Sequence, residues 1–273
     1  MYARHGLQLE NVVIHAGESS IKEGSDIVAR RCQFEGKYVF WCCERVLAED
    51  CLFTLGARSS VWHSRGVELR DCRQEAPKMF RESADIRLRN VVMPHAQETF
   101  WCCDGIEIDN VEAHEADYIF MHCSNVKVRG LRLFGNYGFQ HAKNVEIRDS
   151  DLQSKDALWE TENITVYDSF INGEYLAWHS KNVRLVRCRI GGTQPLCYAE
   201  GLVLEDCTFE PDADLAFEYS DVQATVKGHV VSIKNPRSGS IRVDSCGELI
   251  LDDFIKAPGD CRIEIGGELR SGR

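Results

Sequence analysis

A repeat of about twenty residues runs through the chain and constrains its fold more than any other feature. Each unit has a turn residue, two apolar residues one position apart, and an Asp or Asn shortly after them. The first apolar position recurs every 19 to 21 residues, at Leu7, Ile27, Val46, Val67, Ile86, Ile106, Val126, Val145, Ile164, Val183, Leu202, Val222 and Ile241. A degraded further unit begins at Ile263. A fixed period of this kind is typical of solenoids, in which each repeat packs on its neighbours.

The pattern inside each unit favours strands. Apolar and charged residues alternate, as in Val67–Arg70 and Val145–Arg148, and this two-residue period is typical of β-strands. Leucine-rich repeats have a similar length, but their Leu-x-x-Leu-x-Leu signature is missing. The sequence therefore predicts an all-β parallel β-helix, a solenoid of about 13 coils with three short strands per coil. We expect a single domain over residues 1–273, with coils from about residue 6 to 260 and a C-terminal cap after that.

Stacking the units places equivalent residues in columns along the axis. The residue before the first apolar position is mostly Asp, Asn or Gly, which predicts a tight corner with left-handed backbone. Four successive units have asparagine there and can form an amide ladder: Asn125, Asn144, Asn163 and Asn182. A second column exchanges cysteine for Val, Leu and Ser, with its cysteines at Cys32, Cys51, Cys72, Cys188 and Cys207. Because cysteine behaves as a small buried hydrophobe, we interpret this column as interior and not as a set of metal ligands.

Charge and cysteine content limit the partners and the compartment. The chain has 43 acidic and 32 basic residues, a formal net charge of −11 at pH 7, which argues against non-specific binding to nucleic acid or to an anionic membrane. We find no signal peptide and no long apolar run, and thirteen cysteines without an export signal favour free thiols in a reducing compartment. We therefore expect a cytoplasmic protein with no nucleic-acid partner and no membrane partner.

The third strand of each coil carries the reactive side chains. One of its columns is titratable, and Glu218 continues it after a slip of one residue: Cys42, His63, Glu82, Cys102, His122, His141, Glu160, His179 and Tyr198. The column beside it contains all five tryptophans. Strict alternation leaves two arrangements. Either the titratable, Tyr and Phe columns face out and the tryptophans face in, or the tryptophans face out and the Phe, His and Glu side chains face in. We favour the first, because burying many ionisable groups without partners costs free energy.

Four residues of the titratable column are the candidates for catalysis: His122, His141, Glu160 and His179. Side chains one coil apart lie about 4.8 Å from each other, so they can surround one ion or flank a glycosidic bond. Asp156 is the only nearby acid that can partner Glu160. Aromatic residues of the same strands are candidates for substrate binding: Tyr118, Tyr137, Tyr175, Trp159 and Trp178. The alternative is a polar ladder whose members bond to each other and to water. We assign no metal site, and the sequence identifies no cofactor.

Several segments resemble an uncharacterised bacterial family of right-handed parallel β-helix proteins in the pectin-lyase-like superfamily. They are residues 76–81 (APKMFR), 158–169 (LWETENITVYDS), 173–182 (GEYLAWHSKN) and 215–220 (LAFEYS). The resemblance implies a right-handed helix and a cytoplasmic protein, and it brings no established activity. In the wider superfamily, polygalacturonases use clustered aspartates, and pectate lyases use calcium held by acidic residues with an Arg or Lys base. Here the third strand offers His and Glu instead.

Two functional hypotheses follow. The first is a protein that binds or processes carbohydrate, with the aromatic stripe as subsites and, if it is an enzyme, an activity of the polysaccharide or oligosaccharide hydrolase or lyase type. The second is a non-catalytic scaffold that forms a homo-oligomer through the same stripe, and a charge placed at Phe120 or Phe139 should then break the assembly.

Overall fold

The computed structural model describes residues 1–251 and 259–271. The described residues form strands and no helix, and they divide into two compact units, Met1–Gly138 (unit 1) and Phe139–Arg273 (unit 2), which we describe separately. In both units, strands of successive coils pair in parallel, which confirms the β-helix. The single domain over 1–273 stays a prediction, and part of the predicted C-terminal region, residues 252–258 and 272–273, lies outside the described residues.

Unit 1 contains fifteen strands. They are β1 (Gln8–Glu10), β2 (Val13–Ile14), β3 (Ile21–Lys22), β4 (Ser25–Arg30), β5 (Gln33–Phe34), β6 (Phe40–Trp41), β7 (Glu44–Glu49), β8 (Leu52–Phe53), β9 (Val61–Trp62), β10 (Arg65–Arg70), β11 (Arg73–Gln74), β12 (Phe80–Arg81), β13 (Ala84–Met93), β14 (Asp104–Ala113) and β15 (Ser124–Phe134). A coil has three sides, as in β4, β5 and β6. In β13, β14 and β15 the first two sides merge into one long strand, and the third side of these coils is a series of turns.

The described residues of unit 2 form eleven strands. They are β16 (Lys143–Arg148), β17 (Asp151–Gln153), β18 (Glu162–Tyr167), β19 (Phe170–Asn172), β20 (Lys181–Val186), β21 (Arg189–Gly191), β22 (Leu202–Phe209), β23 (Asp221–Lys234), β24 (Ser238–Ile250), β25 (Arg262–Ile265) and β26 (Glu268–Ser271). All described pairings within the unit are parallel until β26, which runs antiparallel to β25. This reversal ends the stack of parallel coils.

The core of each unit is built from the predicted columns. Val46 pairs with Ile27 and Val67, and in unit 2 Ile164 pairs with Val145 and Val183. These positions are at most 3% exposed. The cysteine column is also interior, with Cys32, Cys51, Cys72, Cys188 and Cys207 buried and free. Because the strands are in register, each apolar side chain packs on the equivalent residue of the next coil.

The predicted corner is present. Its residues adopt left-handed backbone, with φ of 55° at Asn125 and Asn144 and 60° at Asn163. In unit 2 the Nδ2 of Asn163 donates to Asn144 Oδ1 at 3.1 Å, and Asn182 Nδ2 donates to Asn163 Oδ1 at 3.0 Å. The amide ladder is therefore confirmed for these three residues.

The repeat assignment is wrong at the end of unit 2. Val222 pairs with Gly239 and not with Ile241, whose partners are Ala224 and Ile263. Gly239 explains the shift, because its φ is 98° and a Cβ at this position would lie 2.0 Å from the carbonyl oxygen of Val222. The coil that follows Val222 is therefore shorter than the sequence pattern indicates.

The tight approach at Gly239 gives a stability prediction. Gly239→Ala is expected to lower the free energy of unfolding by about 2–3 kcal/mol, because alanine is strained at this φ and its methyl group meets backbone. Gly228→Ala is the matched control, since Gly228 has a φ of 79° but nothing within 4 Å of the added carbon. We expect about 1 kcal/mol for the control by urea denaturation. Equal losses in the two variants would show that the contact with Val222 is unimportant.

Candidate functional site

The third side does not alternate as a strand does. In the coil 175–180, Leu176 and Ala177 are both buried, whereas Trp178 and His179 both lie on the outer face. The cause is the backbone, because Tyr175, Ala177 and His179 have φ of 60°, 55° and 55°. Left-handed residues at every second position turn the chain and remove the two-residue period.

Both predicted arrangements of this side are therefore wrong. The preferred one placed the Phe column outside and the tryptophans inside, but the phenylalanines are fully buried: Phe40, Phe80, Phe100, Phe120, Phe139 and Phe217. The other placed His and Glu inside, but Glu160 and His179 are exposed. The structure turns the Trp and titratable columns outward together. Each tryptophan is thus beside an ionisable side chain on the surface.

In unit 2 the structure brings His141 and Glu160 together. His141 Nδ1 lies 3.2 Å from Glu160 Oε2, across one coil. Trp159 Nε1 donates to Glu160 Oε1 at 3.4 Å, so both oxygens of the carboxylate have a neighbour. Half of the Glu160 side chain stays exposed, at 49%. The carboxylate is therefore available to hydrogen-bond a ligand on the outer face.

An aromatic ladder continues from this pair. The rings of Trp159 and Trp178 have centroids 5.8 Å apart, and Tyr175 lies edge-on to Trp178 at 4.9 Å. Trp178 Nε1 donates to the carbonyl oxygen of Gln194 at 2.7 Å, which fixes the indole along the surface. His179 does not pair with Glu160, but stacks on the ring of Tyr198 at 5.0 Å. Four of the predicted site residues of unit 2 therefore form one patch with Glu160 and His141.

The other predicted site residues lie in unit 1. Tyr118 and Tyr137 stack face to face, with centroids 4.6 Å apart and planes 4° from parallel. His122 is exposed on the outer face of the third side, in the coil of Tyr118. Its proposed participation in a site with His141, Glu160 and His179 stays a prediction.

Two acids of the sequence analysis take other positions. Asp156 N donates to the carbonyl oxygen of Glu174, as Tyr175 N does to Thr193 in the next coil, so Asp156 lies in the tyrosine column. It is 3% exposed, and burial raises the pKa of its carboxyl group. The expectation that Glu218 continues the titratable column after a slip is wrong. Tyr219 occupies that column, and Glu218 lies in the tryptophan column after Trp178 and Cys197. Lys234 Nζ pairs with Glu218 at 2.9 Å.

A second patch, which was not predicted, lies in unit 1. It consists of three half-buried tryptophans, Trp41, Trp62 and Trp101, and a His63–Glu82 pair whose Nδ1 to Oε2 distance is 3.4 Å. The spacing of 19 residues between histidine and glutamate is the same as in His141–Glu160. A histidine and a glutamate 19 residues apart, with a tryptophan next to one of them, is therefore the sequence pattern that could have predicted both patches.

The described residues hold no cluster of three or more His, Cys, Asp or Glu side chains arranged for a metal ion. The titratable column is therefore not arranged to surround an ion within that part of the chain, although its spacing would allow it. No helix of the described residues is long and apolar enough to cross a membrane.

Comparison with known proteins gives a family. The model of a family described as protein of unknown function (DUF3737) matches residues 1–264. The chain belongs to the DUF3737 family. The expected membership of an uncharacterised β-helix family is thus confirmed. No curated protein matches the chain.

Solved structures similar to this DUF3737 chain include repetitive β proteins. The A-module of the mannuronan C-5 epimerase AlgE6 of Azotobacter vinelandii is 8% identical, with 97% of this chain and 74% of that chain covered and a TM-score of 0.35. The tailspike protein gp49 of Pseudomonas phage LKA1 is 12% identical, with coverage of 89% and 46% and a TM-score of 0.32. The fluoroquinolone resistance protein QnrB1 is 15% identical, with coverage of 77% and 92% and a TM-score of 0.28. TM-scores this low transfer neither a site nor an activity.

Proposed function

We propose that the outer patch of unit 2 binds carbohydrate. The observation that carries this proposal is the pair of half-buried tryptophans, Trp159 and Trp178, lying side by side on the surface next to the Glu160 carboxylate. Aromatic rings offer an apolar face to the C–H groups of a sugar ring, whereas carboxylate and imidazole groups hydrogen-bond its hydroxyls. A patch with both kinds of group suits a polyhydroxylated ligand better than a purely apolar one.

The rigidity of the patch supports binding. The indole of Trp178 is held by its bond to the backbone of Gln194 and by the ring of Tyr175. Side chains that are already ordered lose little entropy when a ligand docks. The in-register coils also repeat the aromatic surface along the axis, which fits a chain of linked sugars better than a single small molecule.

Catalysis would depend on the His141–Glu160 pair. Glycoside hydrolysis commonly uses two carboxyl groups about 5–10 Å apart, and the patch presents only Glu160 together with an imidazole. If the protein cleaves its ligand, proton transfer falls to Glu160 and His141, and Glu160→Gln abolishes turnover because an amide cannot transfer the proton. The same variant should retain binding within a few fold, since glutamine still hydrogen-bonds hydroxyl groups.

The test is a panel of neutral oligosaccharides followed by tryptophan fluorescence and titration calorimetry. Trp178→Ala is expected to weaken binding at least tenfold, about 1.4 kcal/mol, because it removes the central ring of the patch. Tyr167→Ala is the matched control. Tyr167 is a half-buried tyrosine in β18 of unit 2, away from the third side, and its ring lies under the guanidinium of Arg148. Equal affinity of Trp178→Ala and the intact protein, or the absence of any binding in the panel, would reject the proposal.

Self-assembly through the same patch is the competing outcome. The charge substitutions first suggested for it, at Phe120 and Phe139, are unsuitable because both side chains are fully buried and a charge there would unfold the protein. Trp178→Glu is the appropriate change. A dimer in light scattering that this variant breaks, with no oligosaccharide bound, would favour the scaffold. We also propose, from the sequence, that the protein is cytoplasmic.

A further inference from the structure

The tryptophan column of unit 1 contains a cation between two indoles. Trp62 is followed in register by Arg81, and Arg81 is followed by Trp101. The guanidinium carbon of Arg81 lies 5.0 Å from the centre of the Trp62 ring and 5.1 Å from that of Trp101. The guanidinium thus lies within cation–π distance of an indole in the coil before it and of another in the coil after it. Its N–H edge is the part left to make hydrogen bonds.

That edge has no acceptor within the described part of the chain. The nearest carboxylate oxygen is Glu98 Oε2, 3.9 Å from Arg81 Nη2, which is too long for a hydrogen bond. Lys78 Nζ already lies 2.9 Å from both oxygens of Glu98. The Arg81 side chain is 27% exposed, so the N–H groups that the indoles do not cover have access to solvent.

Two other surface arginines of this acidic protein, Arg45 and Arg187, do have carboxylate acceptors. Arg187 donates two hydrogen bonds to Asp168, at 2.6 and 2.7 Å, and Arg45 does the same to Asp26. In those pairs the fork of the guanidinium is occupied by a carboxylate. The fork of Arg81 lies between Trp62 and Trp101 and donates no hydrogen bond to a carboxylate of the described residues, and such a planar fork can receive a planar or tetrahedral oxyanion.

We propose that this patch is a second ligand site, which binds a sugar bearing one oxyanion, a phosphate ester or a carboxylate. The oxyanion docks on the Arg81 fork, and the sugar ring packs on Trp41 and Trp62, whose centroids are 6.5 Å apart. The His63–Glu82 pair lies beside these rings and provides hydrogen bonds for hydroxyl groups. The inference does not depend on the proposed function of unit 2, because the site has other residues and selects a charge.

Local charge restricts the ligand to a single anionic group. Glu82 and Glu98 lie near Arg81, and the whole chain has a net charge of −11. A polyanion would meet repulsion from this net negative charge that Arg81 and Lys78 cannot offset. We therefore expect weak or no binding of single-stranded DNA, and this serves as a negative probe.

The experiment compares glucose 6-phosphate, glucuronic acid, glucose and inorganic phosphate by titration calorimetry at low salt. At least one of the two acidic sugars is expected to bind, and at least tenfold more tightly than glucose and inorganic phosphate. The stronger of the two identifies the source of the oxyanion. Inorganic phosphate that binds as well as both acidic sugars, single-stranded DNA that binds more tightly than either, or no binding of either would overturn the proposal.

Substitutions at Arg81 and Trp41 measure separately what the arginine charge and the tryptophan ring contribute to binding. Arg81→Gln should weaken the acidic sugar at least tenfold, and Arg81→Lys should weaken it as well, because an ammonium lacks the planar fork. Arg87→Gln is the control, since Arg87 is an exposed arginine of β13 that pairs with Glu107. Trp41→Ala leaves the Arg81 sandwich intact and should weaken the sugar without changing the affinity for inorganic phosphate.

The experiment also distinguishes loss of binding from a folding defect of a variant, and from failure of the proposed carbohydrate binding by unit 2. The thermal unfolding of each variant is measured alongside, and if Arg81→Gln does not fold, Trp41→Ala still decides the question. Trp178→Ala should leave the acidic sugar bound with unchanged affinity, even if no neutral oligosaccharide binds to unit 2. An acidic sugar that is lost in Trp178→Ala and kept in Arg81→Gln would contradict the assignment to unit 1.

Discussion

Phe100→Ala is expected to lower the free energy of unfolding by about 3–5 kcal/mol, in urea denaturation at pH 7. Phe100 is fully buried in unit 1, between Phe80 and Phe120, with ring centroids 4.8 and 4.6 Å away and planes within 4° of parallel. Its removal leaves a cavity between two rings, and parallel strands above and below prevent the coil from closing it. The loss of the stacked contacts accounts for about 0.5–1.5 kcal/mol of this total for each ring pair.

The chain itself supplies the control for this substitution. In unit 2 the equivalent repeat position is leucine in two coils, Leu158 and Leu196, and alanine in the coil between them, Ala177, and all three are fully buried. A coil of this geometry therefore accepts leucine, and Phe100→Leu should cost about 1–2 kcal/mol, less than the alanine variant. If alanine and leucine destabilise the protein equally, the stacked rings do not fill the core as described.

Alkaline solution is expected to unfold the protein because many of its thiols are buried. Burial raises the pKa of Cys197 and of Cys261 from the ordinary value of 9.0 to about 12, and it raises the pKa of Cys43 and Cys123 as well. Below pH 9 these thiols are protonated in both states. Above it the unfolded chain releases protons that the folded chain keeps. Stability therefore falls with rising pH until the folded pKa is reached, by about 1.4 kcal/mol per pH unit for each thiol.

The measurement is the free energy of unfolding between pH 8 and 11 under reducing conditions. Cys197→Ala should flatten the decline, because the variant has no proton to retain at this position. Cys42→Ala is the control, since Cys42 is only half-buried on the outer face and its thiol is not enclosed. A decline of the same steepness in Cys197→Ala would show that other groups cause the alkaline unfolding.

The sequence was sufficient for the columns that repeat. The interior cysteines, the apolar positions and the asparagine corner could be aligned by counting, because a side chain that must fit the same space in every coil leaves a periodic pattern. The alignment failed at Ile241, where a coil is shorter. There the deciding feature is a backbone contact between Gly239 and Val222, and such a contact leaves only a single glycine in the sequence.

The candidate site could be predicted only in part. The titratable and aromatic columns were found, and the pairing of His141 with Glu160 follows from their spacing of 19 residues. The direction in which these two columns face could not be predicted, because side chains alternate between faces only in an extended strand and the third side has left-handed residues. Arg81 appeared in the sequence as the one cation among the tryptophans, yet its place between Trp62 and Trp101 with a free N–H edge required coordinates.

By itself the sequence determined that this chain is a stack of parallel coils, since hydrophobic burial in every repeat imposes the same residue types at the same interval. Only the tertiary structure decided what the third side presents to solvent. Left-handed φ angles at alternate residues put Trp178 and His179 on the same face, although neighbours in a strand point to opposite faces. Backbone conformation of this kind depends on the hydrogen bonds between coils, which no local pattern of residues specifies.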